Sequence, residues 1–277
     1  NNLTPALVAA KAEYNVAPHL DRPAPAATPF RMDHGFGEIR TIPIGKRIDA
    51  RLPVLPYEHI DELLRSHTRY AVAPCICRRE RTMVGQGCGK MEEACLIMGS
   101  GVDYYRDNGI GRVIDREEAL AILKRADAEG LVLQPSNAKK IANICMCCGC
   151  CCGVLRTIKA HPRPAEFVSS PFRVAFDEST CGGCGACLAR CPMGALTEDD
   201  RGRVRLDPAR CIGCGLCVST CPDGSLALVR KPETEQRDVP ATFVKMYLGM
   251  ARHRRRLKPA KLLRAWLRSR VRPKAAG

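Results

Sequence analysis

The feature that most constrains this chain is a cysteine pattern that occurs twice, with an offset of thirty residues. The first copy reads CGGCGACLARCP from Cys181, and the second reads CIGCGLCVSTCP from Cys211. The residues upstream correspond as well, since Arg173-Val174 aligns with Arg203-Val204. Self-similarity at a fixed offset predicts two copies of one supersecondary unit. Each copy is expected to form a strand, a cysteine loop, a short helix and a second strand.

The spacing within each copy is typical of one kind of metal centre. An iron–sulfur cube needs four converging thiolates, and C-x2-C-x2-C wraps a tight loop around three of its irons. Loop glycines such as Gly183 and Gly213 permit the positive φ and close approach that this loop demands. The cysteine of each C-P pair is expected to bind the cluster of the other copy. The predicted ligands are Cys181, Cys184, Cys187 and Cys221 for one [4Fe–4S] cluster, and Cys211, Cys214, Cys217 and Cys191 for the other.

Both copies resemble the motif of bacterial two-cluster ferredoxins, and every ligand position is filled. The resemblance covers residues 173–229. It implies a ferredoxin-like β-α-β repeat with two clusters close enough for electrons to pass between them. A pair of zinc sites on the same thiols is the alternative, although zinc motifs rarely combine four cysteines at such short gaps with a trailing proline.

Ten further cysteines lie upstream of the repeat, more than two additional cubanes need. Neighbouring cysteines on an extended chain point to opposite sides, so a dense run can supply ligands on both. We expect the first four, with some of the last six, to bind one or two additional iron–sulfur clusters. A structural zinc site and free core thiols are the alternatives. These cysteines are Cys75, Cys77, Cys88, Cys95, Cys145, Cys147, Cys148, Cys150, Cys151 and Cys152.

The chain as a whole resembles a larger group of cytoplasmic 4Fe-4S-binding proteins of anaerobes. The resemblance spans most of residues 38–232 and rests on RTIPIGKRI near 40–48, the helix predicted over 116–129, and RPAEFVSSPF before the repeat. It implies iron–sulfur chemistry in anaerobic metabolism and names no reaction. Two CCG triplets, at 147–149 and 151–153, resemble those of disulfide reductases, but the long gaps between cysteine pairs in those enzymes are missing here.

The predicted fold class is α+β, with a small cysteine-rich α/β domain before the ferredoxin-like module. Residues 1–56 are rich in proline and predict an extended arm. Residues 57–170 form the cysteine-rich region, 171–232 the dicluster domain and 233–277 a basic amphipathic tail.

The clearest helix signal is a capping box. Asp115 followed by Glu118 predicts a helix start, and Gly130 predicts its end. Leu131–Leu133 then predicts a strand, after a shorter helix within 57–68 and a strand from Tyr70. A core helix packed over a cluster site accounts for this unit better than a winged-helix DNA reader.

The formal net charge of +15 belongs mainly to the tail. Residues 239–277 hold twelve Lys or Arg and no acidic residue, which leaves 32 basic and 29 acidic residues elsewhere. We expect one or two amphipathic helices that pack on the body or dock a redox partner protein. A peripheral membrane surface is the second option, and nucleic acid is disfavoured because no base-reading motif is present. The apolar residues at helical spacing are Phe243, Val244, Tyr247, Leu248, Leu262, Leu263, Trp266 and Leu267.

Cysteine usage sets the expected compartment. Eighteen thiols require either disulfides in an oxidising compartment or metal in a reducing one. No basic segment followed by an apolar stretch opens the sequence, so we expect a cytoplasmic protein, with contact to the inner membrane face only through the tail. The chain begins with Asn1 rather than Met, which leaves room for residues upstream.

Electron transfer between redox partner proteins is the predicted function, and no catalytic residue is indicated. An enzyme subunit of the disulfide reductase type, acting through residues 145–152, is the first alternative. A redox-sensing regulator is the second.

Overall fold

The computed structural model describes residues 40–43 and 58–253. Nearly all of the predicted arm at 1–56 lies outside the described residues, as does the second predicted tail helix around 262–267. The first part of the chain contains α1 (Ile60–Arg65), β1 (Tyr70–Pro74), α2 (Ile76–Met83), β2 (Glu93–Met98), α3 (Gly101–Asp107), β3 (Arg112–Ile114), α4 (Arg116–Ala128), β4 (Val132–Pro135), β5 (Asn143–Cys147) and α5 (Gly153–Lys159). The second part contains β6 (Phe172–Phe176), α6 (Ala186–Arg190), β7 (Leu196–Glu198), β8 (Val204–Leu206), β9 (Leu226–Arg230) and α7 (Phe243–His253).

The first part is built on a five-stranded antiparallel sheet with the order β3-β1-β2-β5-β4. Side chains alternate between its two faces. Leu96 and Met146 point into the main core, where they join Leu123 of α4. Cys95 and Cys145 occupy the intervening positions and are direct cross-strand partners. The sheet therefore has one apolar core face and one face that carries cysteines.

Helix α4 has the predicted capping box. The Asp115 carboxylate accepts a hydrogen bond of 2.7 Å from the amide of Glu118. The helix buries Ala119, Leu123 and Ala126 against the sheet. It ends just before Gly130, which is in the left-handed region with φ of 70°. The predicted strand follows as β4, so the prediction of a helix followed by a strand is confirmed.

The second part contains two small antiparallel sheets. Strand β6 pairs with β9, and β7 pairs with β8, so the ends of the two copies interleave. The first copy has the helix α6, whereas the second has a single 3-10 turn over Val218–Thr220 where we predicted a helix. The sequence explains the difference, because Val, Ser and Thr are poorer helix formers than the Leu-Ala-Arg of the first copy.

Several contacts join the two parts, among them an ion pair, hydrogen bonds to a helix end and a close backbone approach. Arg230 of β9 forms a two-pronged ion pair with the nearly buried Glu58, with Nη1 and Oε2 2.6 Å apart. Arg190 of α6 donates to main-chain carbonyls at the end of α4, including that of Ala128 at 2.8 Å. A cation at this end of a helix satisfies its free carbonyls. Gly149 lies so close to Pro192 that a Cβ there would be 2.5 Å from the proline carbonyl oxygen.

Helix α7 is the described part of the basic tail. It buries Met246 and Met250, while the residues that we predicted as its apolar face remain 39% to 67% exposed, namely Phe243, Val244, Tyr247 and Leu248. The helix is thus amphipathic but packs with a different face from the predicted one. Within the described residues, no helix combines the length and apolarity that crossing a membrane requires.

The cap of α4 gives the first testable prediction. Asp115→Ala removes the carboxylate that accepts from Glu118, so we expect the free energy of unfolding to fall by about 1 kcal/mol. Lys124→Ala in the same helix changes an exposed side chain and serves as the control. Anaerobic urea unfolding followed by circular dichroism measures both. Equal midpoints for the two variants would contradict this role of Asp115.

Candidate metal centres

The cysteines of the repeat line two cavities. Cys191, Cys211, Cys214 and Cys217 line one cavity, named here the inner cavity. Cys181, Cys184, Cys187 and Cys221 line the other, named here the outer cavity. Each cavity thus brings together three cysteines of one copy and the C-P cysteine of the other.

The loop around the inner cavity depends on Gly213. Its φ is 68°, and a Cβ there would lie 2.0 Å from the carbonyl oxygen of Phe172. The corresponding residue of the first copy, Gly183, has a φ of 74° but no atom within 4 Å of the Cβ position. Glycine is therefore required at Gly213 both by backbone conformation and by the close approach of β6.

Hydrogen-bond donors surround the C-P thiols. The amide of Ala195 donates to Cys191 Sγ at 3.2 Å. Ser225 corresponds to Ala195 in the second copy, and its buried hydroxyl has no nitrogen or oxygen partner. Burial raises the pKa of Cys221, but the amide and hydroxyl of Ser225, with neighbouring amides, bring it below its usual value. Such donors stabilise the thiolate form, which is the metal-binding form.

The two cavities differ in polarity. The inner cavity has an apolar lining that includes Met193, Ile212 and Leu216, and burial raises the pKa of its Cys211 and Cys217 thiols. At the outer cavity Cys184 is exposed, and the Asp223 carboxylate accepts from the amide of Gly182 at 2.9 Å. The outer cavity is therefore the one that faces solvent.

Six of the ten upstream cysteines form a continuous group, named here the six-cysteine group. Their thiols contact one another in a chain, in the order Cys75, Cys77, Cys152, Cys147, Cys145 and Cys95. Contact with Cys152 contributes most to raising the pKa of Cys77 to about 11. Strands β2 and β5 supply three of these thiols on the face of the sheet opposite the main core.

The six-cysteine group lies beside the inner cavity. Cys147 and Cys152 pack in one apolar cluster with Ile212 and Leu216, against which Cys191 and Cys214 of the inner cavity also pack. Polar side chains approach its sulfurs: the Asn143 amide is 3.6 Å from Cys145 Sγ, and Gln134 Oε1 is 3.9 Å from Cys152 Sγ. The two sets of thiols are therefore neighbours within one packed core.

The other four upstream cysteines form a tighter set, named here the four-cysteine group. Their Sγ atoms all lie within 4.8 Å of one another, and the members are Cys88, Cys148, Cys150 and Cys151. Each of the dipeptides Cys147-Cys148 and Cys151-Cys152 contributes one thiol to the six-cysteine group and one to the four-cysteine group. In the sequence, Cys88 groups with Cys75, Cys77 and Cys95. The structure places it instead beside Cys148, Cys150 and Cys151.

Arg78 lies between the two upstream groups. Its side chain is 3% exposed, and it donates to the carbonyls of Met91 and Met146 and to Cys148. Burial raises the pKa of Cys148, but the Cys151 amide, Cys150 and Arg78 together lower it to about 7. Arg79, the next residue, is instead exposed and lies 3.8 Å from Glu92. The sequence RRER at residues 78–81 gives no basis for predicting which of its arginines is buried.

The family model that matches this chain covers only residues of the repeat. Residues 173–222 match the family model described as a 4Fe-4S dicluster domain. This segment is similar to iron–sulfur dicluster domains. Its description implies [4Fe–4S] clusters and makes electron transfer the function that the domain suggests. No curated protein matches the chain.

The two loop glycines give a prediction with a built-in control. Gly213→Ala introduces both a strained φ and a clash with Phe172, so we expect loss of the inner-cavity cluster, about four irons per chain. Gly183→Ala pays only the conformational cost of about 1–2 kcal/mol and should retain nearly all of its iron. Iron per chain after anaerobic purification measures both. Equal iron contents would show that the clash is unimportant.

Proposed function

We propose that the chain is an electron-transfer protein with one [4Fe–4S] cluster in each cavity of its dicluster domain. The observation that carries the proposal is the meeting of each C-P cysteine with the three loop cysteines of the other copy. The proposed ligands are Cys181, Cys184, Cys187 and Cys221 in the outer cavity, and Cys191, Cys211, Cys214 and Cys217 in the inner cavity.

The donor sets fit such clusters. Four thiols line each cavity, which is the number of ligands that a cubane takes. Among the described residues, neither set brings even three of its sulfurs within 4.8 Å of one another, as a single tetrahedral ion would require. Amides of Ala195 and Ser225 direct hydrogen bonds at the C-P sulfurs. When bound, the clusters accept and release single electrons.

We further propose a third iron–sulfur centre at the six-cysteine group. It offers thiols alone and packs directly against Cys191 and Cys214 of the inner cavity. The exposed Cys184 places the outer cavity at the surface, where a redox partner protein can approach. The order outer cavity, inner cavity, six-cysteine group then forms a path for electrons from the surface to the sheet.

The surplus thiols support a second candidate, a redox enzyme subunit of the disulfide reductase type, because six thiols exceed the four that a cubane takes. However, each CCG triplet divides its cysteines between two separate groups, so neither triplet acts as a unit. This division favours the electron carrier. The regulator has less support, because α4, its candidate DNA reader, buries its apolar face in the core.

Metal analysis tests the proposal. After anaerobic reconstitution we expect iron and sulfide in excess of about eight atoms each per chain, since two cubanes account for eight. Electron paramagnetic resonance of the reduced protein should show two interacting clusters. A value of about eight would remove the third centre, and a colourless protein with zinc in both cavities would overturn the proposal.

The surroundings of the two C-P cysteines differ, because Cys221 lies beside Ser225 whereas Cys191 lies beside Ala195. This difference gives a further prediction. Ser225→Ala removes the buried hydroxyl beside Cys221, so the reduction potential of the outer-cavity cluster should fall while that of the inner-cavity cluster stays constant. Ser219→Ala, at an exposed position of the adjacent turn, is the control. Redox titration followed by paramagnetic resonance separates the two potentials. A shift in both clusters, or in the inner-cavity cluster alone, would contradict the assignment of Cys221 to the outer cavity, and a shift in neither would show that the Ser225 hydroxyl does not donate to Cys221.

A further inference from the structure

We propose that the four-cysteine group binds a single metal ion, held tetrahedrally by four thiolates and without inorganic sulfide. Its four sulfurs lie within 4.8 Å of one another, and Cys88 Sγ is 3.9 Å from Cys148 Sγ. A metal–sulfur bond of about 2.3 Å places tetrahedral sulfurs roughly 3.8 Å apart, close to this distance. The thiolates of a cubane bind four separate irons and stand much farther apart.

The dicluster domain provides an internal comparison. Its thiols line two cavities, and among the described residues neither set has three sulfurs within 4.8 Å of one another, whereas the ligand atoms of the four-cysteine group converge on one point. The same chain thus contains two kinds of thiol site that differ in spacing. The wider kind fits a cluster, and the tighter kind fits one ion.

The four thiolate ligands indicate which metal ion the site would bind. Four thiolates close a tetrahedral site with no open position, which is the arrangement of structural zinc. A divalent ion with four thiolates carries a net charge of −2, and the buried Arg78 that contacts Cys148 offsets part of it. Zinc has no redox chemistry, so the role of this site is structural.

Its position shows what the ion would stabilise. Cys88 comes from the segment after α2, and the other three thiols come from the turn after β5, so one ion joins two distant segments. That turn packs against the dicluster domain, where Gly149 leaves no space for a Cβ beside Pro192. The ion would therefore fix the turn that connects Cys147, the last residue of β5, with Cys152, and both of these belong to the six-cysteine group.

The test is metal analysis of the full chain produced with both iron and zinc in the medium and purified anaerobically. We expect about one zinc per chain, and X-ray absorption at the zinc edge should show four sulfurs at about 2.3 Å. Cys88→Ser should remove that zinc and leave sulfide unchanged. Cys184→Ser, at an outer-cavity thiol, is the matched control and should lower iron and sulfide but not zinc.

The outcome is distinguishable from that of the electron-transfer proposal, because zinc and sulfide are counted separately. Joint loss of iron and sulfide in Cys88→Ser would overturn the single-ion site. So would a zinc spectrum of the unmutated protein dominated by nitrogen or oxygen, and this measurement does not depend on the folding of a variant.

Discussion

The structure depends on the interleaving of the two copies of the repeat. Strand β6 of the first copy pairs with β9 of the second, and β7 pairs with β8, so each copy ends inside the other. This exchange carries Cys191 to the inner cavity and Cys221 to the outer one. Because buried thiols are costly to ionise without a compensating cation, we expect metal binding and folding of this domain to be coupled.

Alternation along one strand organises the upstream thiols. On β5, Met146 points into the main core, while Cys145 and Cys147 face the other way and join the six-cysteine group. The turn after β5 then directs Cys148 and Cys151 toward Cys88. A short run of the chain therefore supplies two sites with different spacing, separated by the buried guanidinium of Arg78.

Sequence patterns predicted the features that depend on neighbouring residues or on the internal repeat. The offset of thirty residues located the dicluster domain, and the pair Asp115 and Glu118 located the start of α4. The division of the ten upstream cysteines was not predictable, because the direction of side chains in the turn at 148–152 depends on backbone angles that residue spacing does not encode. The packed face of α7, which buries Met246 and Met250, was missed for a related reason, since helical spacing identifies an apolar face but not the surface that the face meets.

The most direct test of this account is a crystal structure of the anaerobically prepared protein with diffraction data collected at the iron absorption edge. We expect a four-iron peak in each cavity, with Cys191 Sγ bound to iron in the inner cavity and Cys221 Sγ bound to iron in the outer cavity. Iron in one cavity only, or a C-P cysteine bound to the cluster of its own copy, would contradict it.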